Sequence, residues 1–397
     1  MNANRWYQLG LLSVSMVASM STWFSAAAIL PQLQDRLELG PTATSVLIVA
    51  VQLGFVLGAV GSSIANLADR INPRRLVLIG SVGAATANAA LLLIETSALA
   101  IVARFFVGVF LAVVYPPALK AMSCWFVRGR GLALGILVGA ITVGTSSPHL
   151  IRSFGMPSWQ QVILATSALS LAGGFIAEFV AADGPHPFPQ AVFNPKQIVT
   201  AFRNRSVRLT TIGYLGHMWE LYALWAWIAV FARDVFPEND AAAARMAFGV
   251  VAIGALGCVA GGLLSDHWSR PKTAGLSLLI SGLAAASAGF LVDQPALVVA
   301  VCLVWGFWTI ADSAQFSAIV TEVCDQRYVG TALTVQIALG YLITAVTIYL
   351  VPFLRDLYDW GWAFMVLVPG PAIGAYAMYM LRPLTSSSTK QTTTAPS

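Results

Sequence analysis

The chain has 397 residues, 58% hydrophobic and only 10% charged, with a net charge of +5 and a mean hydropathy of +0.76. Soluble domains carry about 25% charged residues, so this composition excludes a soluble core and indicates a polytopic membrane protein. The positive charge is not a nucleic-acid footprint, because Lys and Arg cluster in short loops between apolar runs. Cys124, Cys258, Cys302 and Cys324 lack CxxC or metal spacing and read as buried, inert thiols.

Apolar runs of about 20 residues fit a bilayer core of about 30 Å. Twelve follow in order, at about 7–30, 43–66, 76–95, 97–119, 131–150, 160–182, 209–232, 243–265, 273–292, 296–319, 331–352 and 361–382. Arg5, the run from Leu9 and Ala26-Ala27-Ala28 imitate a signal peptide. The run continues to Leu30, long enough to span, and reads as a retained first helix. These runs divide the chain into a first six-helix unit (1–183), a linker (184–208), a second six-helix unit (209–384) and a polar tail (385–397) expected to be disordered. Within the linker, Asn194-Pro195 reads as an N-cap with Pro at N1, opening a short basic helix through Arg203 and Arg205.

Loop Lys and Arg set the orientation. With the N-terminus inside, sixteen fall on the inner side and five on the outer, leaving Arg104 within a span. Both termini are therefore expected in the cytoplasm.

Two loops recur. Ala65-Asn66-Leu67-Ala68-Asp69-Arg70-Ile71-Asn72-Pro73-Arg74-Arg75 returns in weaker form as Gly262-Leu263-Leu264-Ser265-Asp266-His267-Trp268-Ser269-Arg270-Pro271-Lys272, with Asp69 and Asp266 197 positions apart. Arg128-Gly129-Arg130-Gly131-Leu132-Ala133-Leu134 matches Arg327-Tyr328-Val329-Gly330-Thr331-Ala332-Leu333 at an offset of 199. Two matches at nearly one offset mark a duplication of six spans, as in secondary transporters built from parallel repeats.

The Asp69 loop resembles the loop 2–3 signature of the major facilitator superfamily, Gly-x-x-x-Asp-Arg/Lys-x-Gly-Arg-Arg/Lys. Asp69, Arg70 and Arg74 match it, while Ala65, Asn72 and Pro73 depart from it. The second copy keeps Gly262, Asp266 and Arg270 but has His267 at the basic position. Arg104-Phe105-Phe106-Val107-Gly108 resembles another superfamily motif. The resemblance covers all twelve spans and implies an all-α fold of two pseudo-symmetric six-helix bundles, with spans 1, 4, 7 and 10 around a central cavity. By analogy it implies a monomer. Gly135-x-x-x-Gly139 is followed by Ala140 rather than the Pro of many drug/proton antiporters. Span 2 lacks the Arg of nitrate porters.

A charge at bilayer depth costs about 2.5–3.5 kcal/mol on insertion scales, so intramembrane charges mark cavities and function. His217 and Glu220 share one face of span 7, in line with Trp227. Glu220 is placed to load and unload a proton; the plainer reading has His217 and Glu220 satisfying each other. Two ligands are too few for a metal. Arg104 reads either as a coupling charge or as a partner of backbone carbonyls, on a face with Gly108 and Tyr115. Asp312 shares a face of span 10 with Trp305, Trp308 and Gln315; the tryptophans read first as packing. Gln52 in span 2 is a further cavity candidate. Asp69 and Asp266, with the loop arginines, are expected to form charge networks that hold the two bundles together in one state.

The expected protein is a proton-coupled secondary transporter of a small polar or anionic metabolite in a bacterial inner membrane, with no cofactor and no enzymatic activity. The rivals are an exporter of amphipathic organic cations, supported by Trp219, Tyr222, Trp225, Trp227, Trp305 and Trp308, and a non-transporting sensor or scaffold on the same fold.

Overall fold

The computed structural model describes residues 4–126, 129–155, 157–186, 194–325 and 327–392, without the side chains of residues 69, 130 and 385–392. Every element among them is helical. Ten helices are long and apolar enough to cross a membrane. Two more stand where the sequence predicts spans 1 and 7, so the crossings are numbered α1 to α12.

α1 (Arg5–Met20) is capped by Asn4, whose side chain accepts from the Trp6 N–H. It breaks at Ser21 and continues as Ser25–Ala28 and Leu30–Leu37. α2 (Pro41–Ile64) and α3 (Pro73–Leu92) each begin with Pro at the first turn, where its missing N–H costs nothing. α4 (Ser97–Ser123) is interrupted at Ala112–Val114, immediately before Tyr115-Pro116-Pro117. α5 (Arg130–Ser153) and α6 (Trp159–Val180) complete the first bundle. A capping box of Ser158 and Gln161 opens α6.

α7 (Arg205–Val235) runs 31 residues without a break and is buried on nearly every side. Its Trp, Tyr, His and Glu keep its hydropathy modest although it lies at the centre of the second bundle. α8 (Asp240–His267) breaks at Ile253. α9 (Arg270–Leu291) follows, and α10 (Pro295–Val323) breaks at Asp312. α11 (Val329–Leu357) precedes α12 (Trp360–Leu384), whose backbone stays helical to Thr392, inside the segment read from sequence as a disordered tail. Residues 393–397 lie outside the description.

Asn194 does cap the linker, accepting from the Lys196 N–H. The expected helix through Arg203 and Arg205 is shorter, however, ending at Ala201. Asn204 then caps α7 through the Ser206 N–H, so Arg205 opens the membrane helix instead.

Within each bundle, glycines set the closest approach. A Cβ on Gly108 of α4 would sit 1.9 Å from the Val51 carbonyl of α2, and one on Gly306 of α10 would sit 1.8 Å from the Val250 carbonyl of α8. The two bundles meet along α2 against α11 and α5 against α8. The space left between them holds the site.

Candidate functional site

A cavity of about 830 Å³ lies between the bundles. The first bundle contributes Trp23, Tyr115 and Val138; the second contributes Tyr214, Tyr222, Trp225, Ser313 and Tyr341. Its mouth lies at the end bearing Ser123, Gly131, Arg270 and Arg327, the end that also carries both repeated loops. Its other end is shut by aromatic rings from the two bundles. Trp23 stands 5.1 Å from Phe55, 5.7 Å from Tyr222 and 5.9 Å from Tyr341, and Phe55 stands 4.4 Å from Tyr341. The hydroxyls of Tyr222 and Tyr341 are hydrogen-bonded at 2.8 Å. Such ring pairs contribute about 0.5–1.5 kcal/mol each beyond burial, so this seal stabilises the closed end.

Of the residues read from sequence as the cavity site, Tyr115 lines it, as does Arg270 from the loop motif. Glu220 does not. It lies 1% exposed inside the second bundle, accepting from Ser281 Oγ of α9 at 2.9 Å and from the Trp305 indole of α10. The reason is angular: the cavity face of α7 is Tyr214, Met218, Leu221, Tyr222 and Trp225, and Glu220 projects to the other side. Trp305 therefore does more than pack.

His217 is paired with Asp312, not with Glu220. Its Nδ1 lies 2.8 Å from Oδ1 of Asp312, with both side chains 1% exposed. The contact lacks the alignment of a hydrogen bond, and Nε2 has no hydrogen-bond partner among the described residues. Phe316 and Tyr214 flank the imidazole, with ring centroids 5.6 Å and 6.0 Å away. Asp312 owes its position to the break in α10.

Arg104 grips the break in α1. The interruption frees backbone carbonyls, and the guanidinium donates to Thr22 O at 3.0 Å and to Trp23 O. It also donates to Ser25 Oγ at 3.2 Å and Asn88 Oδ1 at 3.1 Å. Among the described residues no carboxylate pairs with it, so it acts on backbone, one of the two roles the sequence left open.

Gln52 is fully buried, with neither amide atom hydrogen-bonded among the described residues. Trp227 donates to the Ile348 carbonyl at 2.9 Å and ties α7 to α11. Trp308 is half-buried, edge-on to Phe307, and does not line the cavity.

The loop arginines work within bundles, not between them. Arg74 of α3 pairs with Asp183 at 2.8 Å and donates to the Glu178 and Ala181 carbonyls, closing the end of α6. Arg270 pairs with Glu322 of α10 at 2.6 Å and reaches Gln315 at 3.1 Å. Arg70 and Asp266 are exposed, and the Asp69 side chain lies outside the description. A bundle-to-bundle network at this end would require the mouth to close.

Sequence reasoning missed Ser281, Asn88 and the sealing rings Trp23, Phe55 and Tyr341. The signal for the first two was a polar side chain inside an apolar span, shared there with other hydroxylated residues. The rings give no such signal, because aromatic residues are common throughout the chain.

Two bundles enclosing a midline cavity, with paired loops at its mouth, match a known family. The chain aligns with the Major Facilitator Superfamily over residues 11–347. It belongs to that superfamily. As a superfamily member it is a transporter rather than an enzyme, and a multi-pass membrane protein. A galacturonate transporter of Dickeya chrysanthemi is 33% identical over 179 residues, 42% of this chain; the match spans about half of that protein (49%). A hexuronate transporter of Escherichia coli (strain K12) is 22% identical over 416 aligned positions, 94% of this chain and 93% of that protein. Among solved structures, a bacterial homolog of the human lysosomal transporter Spinster, inward-facing and unoccupied, superposes with a TM-score of 0.65. It is 16% identical and covers 96% of this chain and 95% of that one.

Proposed function

We propose that this superfamily member carries sugar acids of the hexuronate class across a bacterial inner membrane by alternating access, coupled to protons. One observation carries the substrate class: among its described residues the cavity is lined by two arginines, Arg270 and Arg327, and by no Asp or Glu. Each is held by a carboxylate outside the lining, Arg270 by Glu322 and Arg327 by Asp325, both at 2.6 Å; these solvent-reached pairs can be exchanged for a substrate carboxylate, which guanidinium groups recognise in bidentate fashion. Aromatic rings and the hydroxyls of Tyr115, Tyr214, Ser313 and Ser317 offer surfaces for a sugar ring and its hydroxyls. The names of the two relatives support the same class.

Proton coupling is assigned to Glu220 and to the His217–Asp312 pair, held behind the cavity wall on α7 and α10. Burial of three ionisable groups at this depth is costly and is rational where they exchange protons. Ser281 Oγ also lies 3.2 Å from the Leu278 carbonyl. Its single proton can therefore turn from Glu220 to that carbonyl when Glu220 is protonated and donates. The Lys and Arg distribution supports a cytoplasmic mouth, with the closed end facing outward.

The test is uptake of labelled galacturonate into proteoliposomes, with galacturonate, galactose and tetraphenylphosphonium as competitors. Only the acid should compete. Absence of galacturonate uptake, with flux of labelled tetraphenylphosphonium instead, would replace this reading with export of organic cations, and binding without flux would favour a sensor.

A further inference from the structure

Beyond the aromatic seal lies a cluster of basic side chains that the cavity does not use. The cavity face of α5 runs through Leu134, Val138 and Ile141. Continued at helical spacing, the same face reaches Thr145, His149 and Arg152. The cavity face of α7 runs through Tyr222 and Trp225 and continues to Ala229 and Arg233. His149 lies eight residues past Ile141, and Arg233 eight past Trp225. At 1.5 Å per residue each is about 12 Å beyond the closed end of the cavity. The two arginines come from opposite bundles, each on the continuation of a cavity-lining face.

Their surroundings leave them short of counter-charge. Arg152 is 7% exposed and His149 2%. The Gln32 side-chain carbonyl, in the amide orientation that satisfies its neighbours, accepts from Arg152 at 2.7 Å and 2.5 Å. Neither Arg152 nor Arg233 has a carboxylate oxygen within 4.0 Å among the described residues. The two lie within electrostatic range of each other and of Asp240 at the first turn of α8. The other nearby acid, Asp234, is occupied by Arg355 at 2.8 Å and by the Trp360 indole at 2.7 Å. Two like charges thus lie within electrostatic range of each other, Arg152 buried against a neutral amide and Arg233 half-buried. Burying a cation without an anion is unfavourable, and a carboxylate offers each guanidinium a charge-assisted partner.

We infer that Arg152 and Arg233 form a second anion site, on the far side of the seal from the cavity, which receives the carboxylate of an entering sugar acid at the closed-end face. The inference rests on the proposed function, because it takes its ligand and its alternating opening from there. When the seal parts, the faces bearing these arginines border the new entrance, and the acid meets them before it reaches Trp23 and Tyr341.

The test measures apparent KM for galacturonate at each face, in vesicles of opposite orientation, for wild type, R152Q, R233Q, R152K and R233K. Loss of one charge-assisted hydrogen bond corresponds to about a tenfold effect. Each glutamine variant should raise the closed-end KM about tenfold and leave the mouth-side KM nearly unchanged, with the lysine variants in between. Wild-type closed-end KM should also rise with ionic strength, an outcome read without any variant. Equal changes at both faces, no change at either, or a salt-insensitive wild-type KM would overturn the inference and leave the proposed function standing. Wild type that carries no galacturonate at all would overturn the proposed function and this inference with it.

Discussion

Trp23 and Glu220 lie 197 positions apart, the offset that also separates Asp69 from Asp266, and each sits at a polar junction of its bundle. Each is held by the fourth helix of its own bundle: Arg104 donates to the Trp23 carbonyl, and Trp305 to the Glu220 carboxylate. The third helix adds a polar side chain in both cases, Asn88 to Arg104 and Ser281 to Glu220. A polar junction of first, third and fourth helices is thus present in each bundle, built around Arg104 in one and Glu220 in the other.

At the first junction the charge serves the backbone. Arg104→Ala strands the Thr22 and Trp23 carbonyls in the bundle interior, and an unsatisfied buried acceptor costs about 1–3 kcal/mol. Thermal unfolding of the purified variant should show a loss of that order. Arg104→Lys should recover part of it, since one ammonium cannot span the same acceptors. Unchanged stability in Arg104→Ala would remove this role.

At the second junction the charge is assigned to coupling. Glu220→Gln keeps the shape and acceptor of the side chain but cannot release a proton. Proton-driven accumulation should fail while counterflow exchange survives. Accumulation at wild-type levels would take Glu220 out of the mechanism and leave the His217–Asp312 pair to be tested through Asp312→Asn.

Close packing gives a prediction independent of transport. Gly108→Ala and Gly306→Ala would each drive a methyl carbon into a carbonyl oxygen of the neighbouring helix. Neither backbone can yield without separating α2 from α4 or α8 from α10. Overpacking of this kind costs about 1–3 kcal/mol or more. Both variants should unfold at lower temperature than Gly131→Ala, where an added Cβ meets nothing within 4 Å.

Acid sensitivity should appear at the end of α6. Hydrogen bonds from Arg74 hold the Asp183 carboxyl below its ordinary value of 3.8, with partial burial opposing and Asn72 assisting. A folded-state value below the unfolded one means a stabilisation fully present above about pH 4. It is lost as pH falls through the folded value. Melting curves from pH 7 to 3 should show wild type beginning to lose this increment below about pH 4 and Asp183→Asn lacking it throughout.

Much of the fold was legible in the sequence because a bilayer demands long apolar runs, and those runs are visible residue by residue. The interruptions were less so. Pro116 and Pro117 advertise the break in α4, but nothing comparable marks Ser21 in α1 or Asp312 in α10, where tertiary contacts decide. The site was harder still. Helical spacing put His217 and Glu220 on one face of α7, yet could not say which way that face turns. α7 is buried all round, so no polar-to-apolar contrast orients it. Pairing of His217 with Asp312, 95 positions away, depends on how α7 and α10 pack. The loop arginines were found by motif, but their partners Asp183 and Glu322 lie at helix ends that no motif includes.

The segment joining the bundles is moored on both sides. Asp183 holds Arg74 and the His186 N–H donates to the Cys124 carbonyl, both in the first bundle. On the other side, the Asn194 N–H donates to Thr331 and Asn204 to the Val323 carbonyl, both in the second. Eight peptide links separate His186 from Asn194, which at full extension reach about 29 Å. The length of this connection sets an upper limit on how far the mouth-side ends of the bundles can part while both moorings hold.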